Sequence, residues 1–228
     1  MKILLVSATV FELMPTLDYL EKHFETKSFS EFTNGVHTIH PFVTGVGSPM
    51  MAFGMGQLRD APTYDLVIHG GLSGAYTDQF NLGEVVEVVK ERWADLGAEE
   101  QDGGFTDLVE MELVDGNRIP FSDGWILNNQ TKYTTKLKQC TGLTVNKVSG
   151  TQKTIDAIKN KYYADVESME GATLFYACRM WDIPFISIRG ISNYVQPRDK
   201  STWKIPEAIE KLNENIIDRK STRLNSSH

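Results

Sequence analysis

The run Lys2–Ala8, KILLVSA, is apolar almost without a break, and TVFELMPTLDYLEKH follows it at once. A half-solvated strand alternates apolar and polar residues, whereas a strand buried on both faces does not. The first run therefore predicts a doubly covered strand. Thr9–His23 predicts a helix with Pro15 in an early turn, where proline is tolerated.

The same alternation recurs along the chain. Val36–Thr44 and Asp65–His69 read as strands, the second ending in HGGLSGA. Gly45–Pro49 reads as a turn that opens a helix over Met50–Arg59. Gly83–Lys90, Leu143–Ser149 and Pro184–Arg189 read as strands, and Glu170–Trp181 and Trp203–Ile217 as helices. Between Arg92 and Thr141, Gly and Asp pairs leave no readable period. Strands alternating with helices predict an α/β fold with a mainly parallel sheet covered on both faces. The final stretch, RKSTRLNSSH, is polar and aperiodic. It is expected to be a disordered or non-native tail, with the domain over 1–219 and the tail over 220–228.

Charge and cysteine usage narrow the partners. The formal net charge of -7 disfavours nucleic acid and anionic membranes, which call for basic patches. No apolar stretch approaches the ~20 residues of a membrane span, and the N-terminus reads as a first strand and not as a signal peptide. Cys140 and Cys178 lack metal-ligand spacing and read as reduced thiols of a cytoplasmic protein. No metal and no cofactor are expected.

Ligands of open α/β sheets sit at the carboxyl ends of strands. Glu12 follows the first strand, just inside a helix; a first-turn glutamate is also favoured there by the helix dipole alone. Glu170 opens an apolar helix, and Gly171 and Ala172 leave room beside it. The same dipole argument serves Glu170. Arg189 ends an apolar strand, and a buried arginine needs a partner, for which Glu12 or Glu170 would serve. Asn193 offers an amide donor and acceptor, or simply a turn.

Taken together, VSATVFE, TGVG at 44–47, HGGLSGA at 69–75, ESMEGA at 167–172 and IRGISN at 188–193 resemble the purine nucleoside phosphorylase/nucleosidase superfamily in order and spacing. The likeness to methylthioadenosine/S-adenosylhomocysteine nucleosidases covers most of residues 1–195. VVKERWADLGAEE and ISNYVQPRDKSTWKIPEAI resemble the futalosine hydrolases of menaquinone biosynthesis. The resemblance implies a single-domain phosphorylase/hydrolase-like fold, with a central twisted mixed sheet, partly barrel-like, flanked by helices. It implies hydrolysis of a purine nucleoside without a cofactor, by a homodimer or larger homo-oligomer. Glu12 matches the general base that activates water, Glu170 the ribose-hydroxyl ligand and Arg189 the arginine beside them. Asn193 stands where adenine-specific members carry an Asp. Gly71, Leu72, Ser73 and Gly74, Met169, and Gly150 and Thr151 match substrate-binding positions, the last two through backbone only. Glu167 is expected to be structural.

Two departures from the family pattern carry information. An Asn amide donates toward the two acceptors of a 6-oxopurine, whereas a protonated Asp suits adenine. Asn193 therefore points to a hypoxanthine leaving group, as in futalosine. Phosphorylases of the superfamily carry Arg and Ser where this chain has His69 and Leu72, so water is the expected nucleophile. His69 reads equally as a strand-end histidine satisfied by backbone. Tyr76, Trp93 and Trp203 are candidate pocket walls or core. Arg92 and Asp95, Arg198 and Asp199 receive no chemical role. Two further readings stay open: a nucleosidase for inosine or methylthioadenosine, and a nucleoside-binding protein without catalysis.

Overall fold

The structure, a computed structural model, describes residues 1–28, 30–58, 63–129, 132–133 and 135–222. It opens with β1 (Lys2–Ser7) and α1 (Val10–His23). β1 is buried on both faces, as its unbroken apolar run predicts. Leu4 and Val6 join one core cluster with Met51, Phe175 and Phe185. Ile3 and Leu5 join another with Leu13, Leu212 and Ile216.

β2 (Glu25–Ser28), β3 (Glu31–Thr33) and β4 (Thr38–Val43) follow, then α2 (Ser48–Gly56). α2 starts ahead of the expected Met50, because Gly47 at φ 95 turns the chain and Pro49 sits in the first turn. The expected end of that helix, Arg59, lies outside the described residues. β5 is longer than the reading of Asp65–His69, running from Leu66 to Ala75. HGGLSGA is thus strand and not a loop past a strand end, because β13 (Phe185–Tyr194) pairs along its whole length. Asn193 likewise lies inside β13, at a bulge beside Ser192.

β6 (Val85–Trp93) leads into the stretch that defied sequence reading. It contains β7 (Gly97–Glu99), β8 (Phe105–Asp107), β9 (Phe121–Ser122) and β10 (Trp125–Leu127). β11 (Lys138–Thr144) begins and ends ahead of the predicted Leu143–Ser149. Next come α3 (Gln152–Tyr162), β12 (Val166–Ser168) and α4 (Gly171–Trp181). α5 (Ile205–Thr222) is last and runs through the first residues of the expected tail. The rest of that tail, 223–228, lies outside the described residues.

The sheet is mixed, which corrects the mainly parallel arrangement inferred from strand–helix alternation. β1 pairs in parallel with β4 and β5. β12 is antiparallel to β5, and β13 is antiparallel to β6. Because β13 pairs both β5 and β6, the strands β5, β12, β11, β6 and β13 close into a ring. The sheet is therefore partly a barrel, as the resemblance implied, with helices packed outside it. Close approach of α5 depends on Gly190, where an added Cβ would lie 2.6 Å from the Ala208 carbonyl oxygen.

Candidate active site

The site begins at the first βα junction. Thr9 caps α1 and forms a capping box with Glu12. The Glu12 amide donates to Thr9 Oγ1 at 3.3 Å, and the Thr9 amide donates to Glu12 Oε2 at 3.0 Å. The Ser7 hydroxyl donates to the same oxygen at 3.0 Å. These bonds leave Oε1 pointing toward β5, where the Leu72 amide donates to it at 3.1 Å. One rotamer of Glu12 therefore serves the helix cap and turns the second oxygen toward β5.

Across β5 stands Arg189, 1 % exposed. Its partner is neither predicted carboxylate but His69: Nη2 lies 2.9 Å from Nδ1 and 3.1 Å from Nε2. His69 is also near the Ser187 hydroxyl, at 3.4 Å. This corrects the reading of His69 as satisfied by backbone. The parallel register of Ser187 with His69 and of Arg189 with Gly71 brings these side chains to one face. Burial, with the neighbouring guanidinium, pushes the His69 pKa well below its ordinary value, so the ring is neutral. Burial also lowers the Arg189 pKa, against Glu91, Glu170 and Glu12, whose charges favour the cation.

Glu170 is buried at the N-terminal end of α4, and its Oε1 accepts from the Gly47 amide at 2.7 Å. Burial raises its pKa, opposed by that amide and by Arg189. The TGVG turn and ESMEGA thus meet although they are remote in sequence. Met169 beside it is half-buried, and its carbonyl accepts from Ser48 Oγ at 3.3 Å.

Asn193 lies at the far end of β5, paired with Gly74, where an added Cβ would stand 3.0 Å from Nδ2. Its amide donates to the Tyr194 carbonyl at 3.1 Å and accepts from Ser192 Oγ at 2.8 Å. One amide hydrogen remains. The Ser192 hydroxyl also reaches the Ser73 carbonyl at 3.2 Å. Arg189 and Glu12 thus meet at Gly71, and Asn193 stands three residues further along β5, at Gly74.

Gly150 and Thr151 stand apart from Gly71 and Gly74. Thr151 caps α3, accepting from the Thr154 amide at 3.3 Å. The Gly150 carbonyl accepts from the Arg198 amide at 3.2 Å. Just ahead of them, the Ser149 amide and hydroxyl donate to Glu167 at 3.1 and 2.8 Å. The Tyr76 hydroxyl donates to Glu167 as well. Tyr76 is thus a buried tether, and Glu167 anchors the turn before α3. Trp93 packs on Tyr176 and donates to Thr173, and Trp203 lies under Arg198. Arg92 pairs with Asp107, Asp95 accepts from Asn146, and Asp199 caps the turn Lys200–Thr202.

Sequence reading missed Glu91, a carboxylate 1 % exposed in β6. Burial pushes it up to about 7, with Arg189 pulling down and Glu170 pushing further up. The one signal available was its place in VVKERWADLG, set down only as a mark of resemblance.

Fold and site together define a single-domain α/β protein in which a buried guanidinium and the Glu12 carboxylate meet over Gly71, with Glu170 buried at the start of α4 within their field. Residues 2–221 match the phosphorylase superfamily, and the chain belongs to that family. It is similar to proteins named futalosine hydrolase. That of Thermus thermophilus is 33 % identical over 171 residues, 74 % of this chain and 75 % of the other. A protein of Maridesulfovibrio salexigens named 5'-methylthioadenosine/S-adenosylhomocysteine nucleosidase is 27 % identical, covering 95 % of this chain and 96 % of its own. The native structure of futalosine hydrolase of Helicobacter pylori superposes with a TM-score of 0.72 at 14 % identity, over 96 % of this chain and 97 % of the other, and shares the fold.

Proposed function

We propose that this chain hydrolyses the N-glycosidic bond of futalosine, releasing hypoxanthine and dehypoxanthine futalosine on the way to menaquinone. The observation that carries the reading is the meeting of Glu12 and Arg189 over Gly71, with Glu170 electrostatically coupled to both. Relatives named futalosine hydrolase, at 33 % and 29 % identity, support the substrate.

Cleavage of a ribosyl bond develops positive charge on the sugar and negative charge on the departing base. Glu12 accepts a proton from the attacking water, its carboxylate already aimed by Thr9, Ser7 and Leu72. Glu170 holds the ribose hydroxyls, and Met169 lies under the sugar. The Asn193 amide hydrogen left over from Tyr194 faces the leaving purine and stabilises its charge. Water, not phosphate, is the nucleophile. His69 is neutral and engaged with Arg189, so it adds no cation for a phosphate dianion.

A second copy completes the assembly in this reading. α1 exposes Val10, Phe11 and Met14 beside Glu12, and the Gly47 segment and α2 expose Val46, Met50 and Phe53. Phe11 is 61 % and Phe53 69 % exposed, on the two segments that hold the carboxylates, which suits an interface between copies. The reaction is assigned to the cytoplasm, in keeping with the buried, unpaired thiols of Cys140 and Cys178.

The likeness to methylthioadenosine/S-adenosylhomocysteine nucleosidases favours an adenine nucleoside as the second reading. The test incubates the protein with futalosine, inosine or methylthioadenosine, with and without phosphate, and follows free base. Phosphate-independent release of hypoxanthine from futalosine, faster than base from the other two, is expected. Faster release of adenine moves the assignment to the second reading, and binding without release of any base removes catalysis.

A further inference from the structure

Glu170 occupies the N-cap of α4, yet its side chain makes no bond to its own helix. An N-cap side chain ordinarily accepts from the second or third helical amide. Glu170 reaches away instead, to the Gly47 amide at 2.7 Å. The second helical amide, Ala172, donates to Thr144 Oγ1 of β11 at 2.7 Å. The Thr144 hydroxyl in turn donates to Glu91 Oε2 at 3.1 Å. Thr144 and Ala172 are 0 % exposed, and so this relay is sealed from water.

The fold makes room for it deliberately. Val88 pairs with Cys140 but Lys90 with Thr141, so β6 carries an extra residue at Val89. The bulge reverses the alternation and turns Glu91 to the face that Val86 and Val88 also occupy, against the start of α4. There the carboxylate fills the places of two missing side chains. A Cβ on Gly171 would lie 1.9 Å from Glu91 Oε1, and one on Gly142 would lie 2.5 Å from it. Glycine directly after Glu170 is therefore required by Glu91 and not by the helix.

We propose that Thr144 and Glu91 are positioning residues for Glu170: they take over the capping of α4 and leave the Glu170 carboxylate free to face the ribose. The proposal rests on the reading of Glu170 as the ribose ligand. The charged and titratable groups that bear on Glu91 are Arg189 from β13 and Glu170 from α4. Cys140 of β11 is also within its field.

Thr144→Val keeps the shape and removes the hydroxyl, Thr144→Ser restores the hydroxyl, and Glu91→Gln withdraws the carboxylate. The first readout needs no substrate: amide hydrogen exchange at Gly47, which is protected by Glu170 and does not touch Thr144. Exchange there should accelerate about ten-fold in Thr144→Val, the loss of one buried hydrogen bond, and return toward the wild-type rate in Thr144→Ser. Glu91→Gln should move it in the same direction by a smaller factor. The second readout is turnover of whichever nucleoside the wild type cleaves. Thr144→Val should lower kcat by about ten-fold or more and shrink the preference for a ribonucleoside over its 2'-deoxy form, with Thr144→Ser recovering both. Wild-type exchange at Gly47 in Thr144→Val, or a serine variant as impaired as valine, overturns the proposal. If Gly47 responds while 2'-deoxy discrimination does not, the positioning stands and the role given to Glu170 falls.

Discussion

Arg189 and Glu12 face each other across the missing side chain of Gly71. The point a Cβ would occupy there lies 3.3 Å from Arg189 Nη1 and 3.3 Å from Glu12 Oε1. Opposite charges thus share a small space without touching side by side. Each is held by other bonds: Arg189 by His69, Glu12 by its capping box and the Leu72 amide.

Gly71→Ala should therefore impair chemistry more than folding. Both neighbours are side-chain ends that can yield by a few tenths of an ångström, so the melting temperature should move little. Displacement of the base and the guanidinium should lower kcat by about 10- to 100-fold. Steady-state kinetics and calorimetry on one preparation check the split; a kcat within two-fold of wild type would contradict the arrangement, by the order of magnitude that ångström-scale misplacement carries.

Glu12→Gln removes the proton acceptor and leaves a side chain of the same shape. Turnover should fall by about 10²- to 10⁴-fold, the range of a general base. Substrate or product affinity by calorimetry should persist. Near-normal turnover would remove Glu12 as the base.

Asn193→Asp bears on the leaving group. The amide hydrogen left over from Tyr194 is lost, and a carboxyl takes its place beside Gly74. Release of adenine from adenine nucleosides should rise relative to release of hypoxanthine from futalosine, read by chromatography of free bases. An unchanged ratio would defeat the argument from Asn193.

Glu91→Gln should change how stability depends on pH. The Glu91 pKa is raised in the fold, to about 7, from an ordinary 4.5. Between those values the native state binds more protons than the unfolded chain. The contribution of Glu91 is therefore fully present below 4.5 and is lost as pH rises through 7. Relative to wild type, the glutamine variant should gain stability across that window, by at most about 1.4 kcal/mol per pH unit, and the difference should level off above it. Urea denaturation at several pH values measures this, and a flat difference would refute it.

Phe53→Asp places a charge on the exposed apolar segment beside Gly47. Sedimentation should shift from dimer or larger to monomer, with lower activity at low protein concentration. A wild-type protein that is already monomeric would exclude the assembly.

Much of the fold was legible where burial writes itself into local pattern. β1 showed as an unbroken apolar run because both faces are covered, and α1 as a period that Thr9 and Glu12 start with a capping box. β5 was read too short. Its glycines have poor strand propensity, and only pairing with β13 keeps them extended. β7 to β10 are two or three residues long and owe their existence to cross-strand partners, so no periodicity could announce them. Glu12, Glu170, Arg189 and Asn193 could be named from their motifs. The imidazole partner of Arg189 could not, because Ser187 meets His69 only through the register of two strands far apart in sequence.

What the amino-acid order determined alone is a set of local commitments: where buried strands and helices begin, and which junctions carry carboxylates and small residues. Those follow from propensity, capping and the period of burial, which act over a few neighbours. Closure of the sheet by β13, the bulge that turns Glu91 toward α4, and the convergence of Glu12, Arg189 and Glu170 were decided by tertiary structure. The reason is physical: register and electrostatic coupling are properties of segments brought together, and no single segment encodes the partner that it will meet.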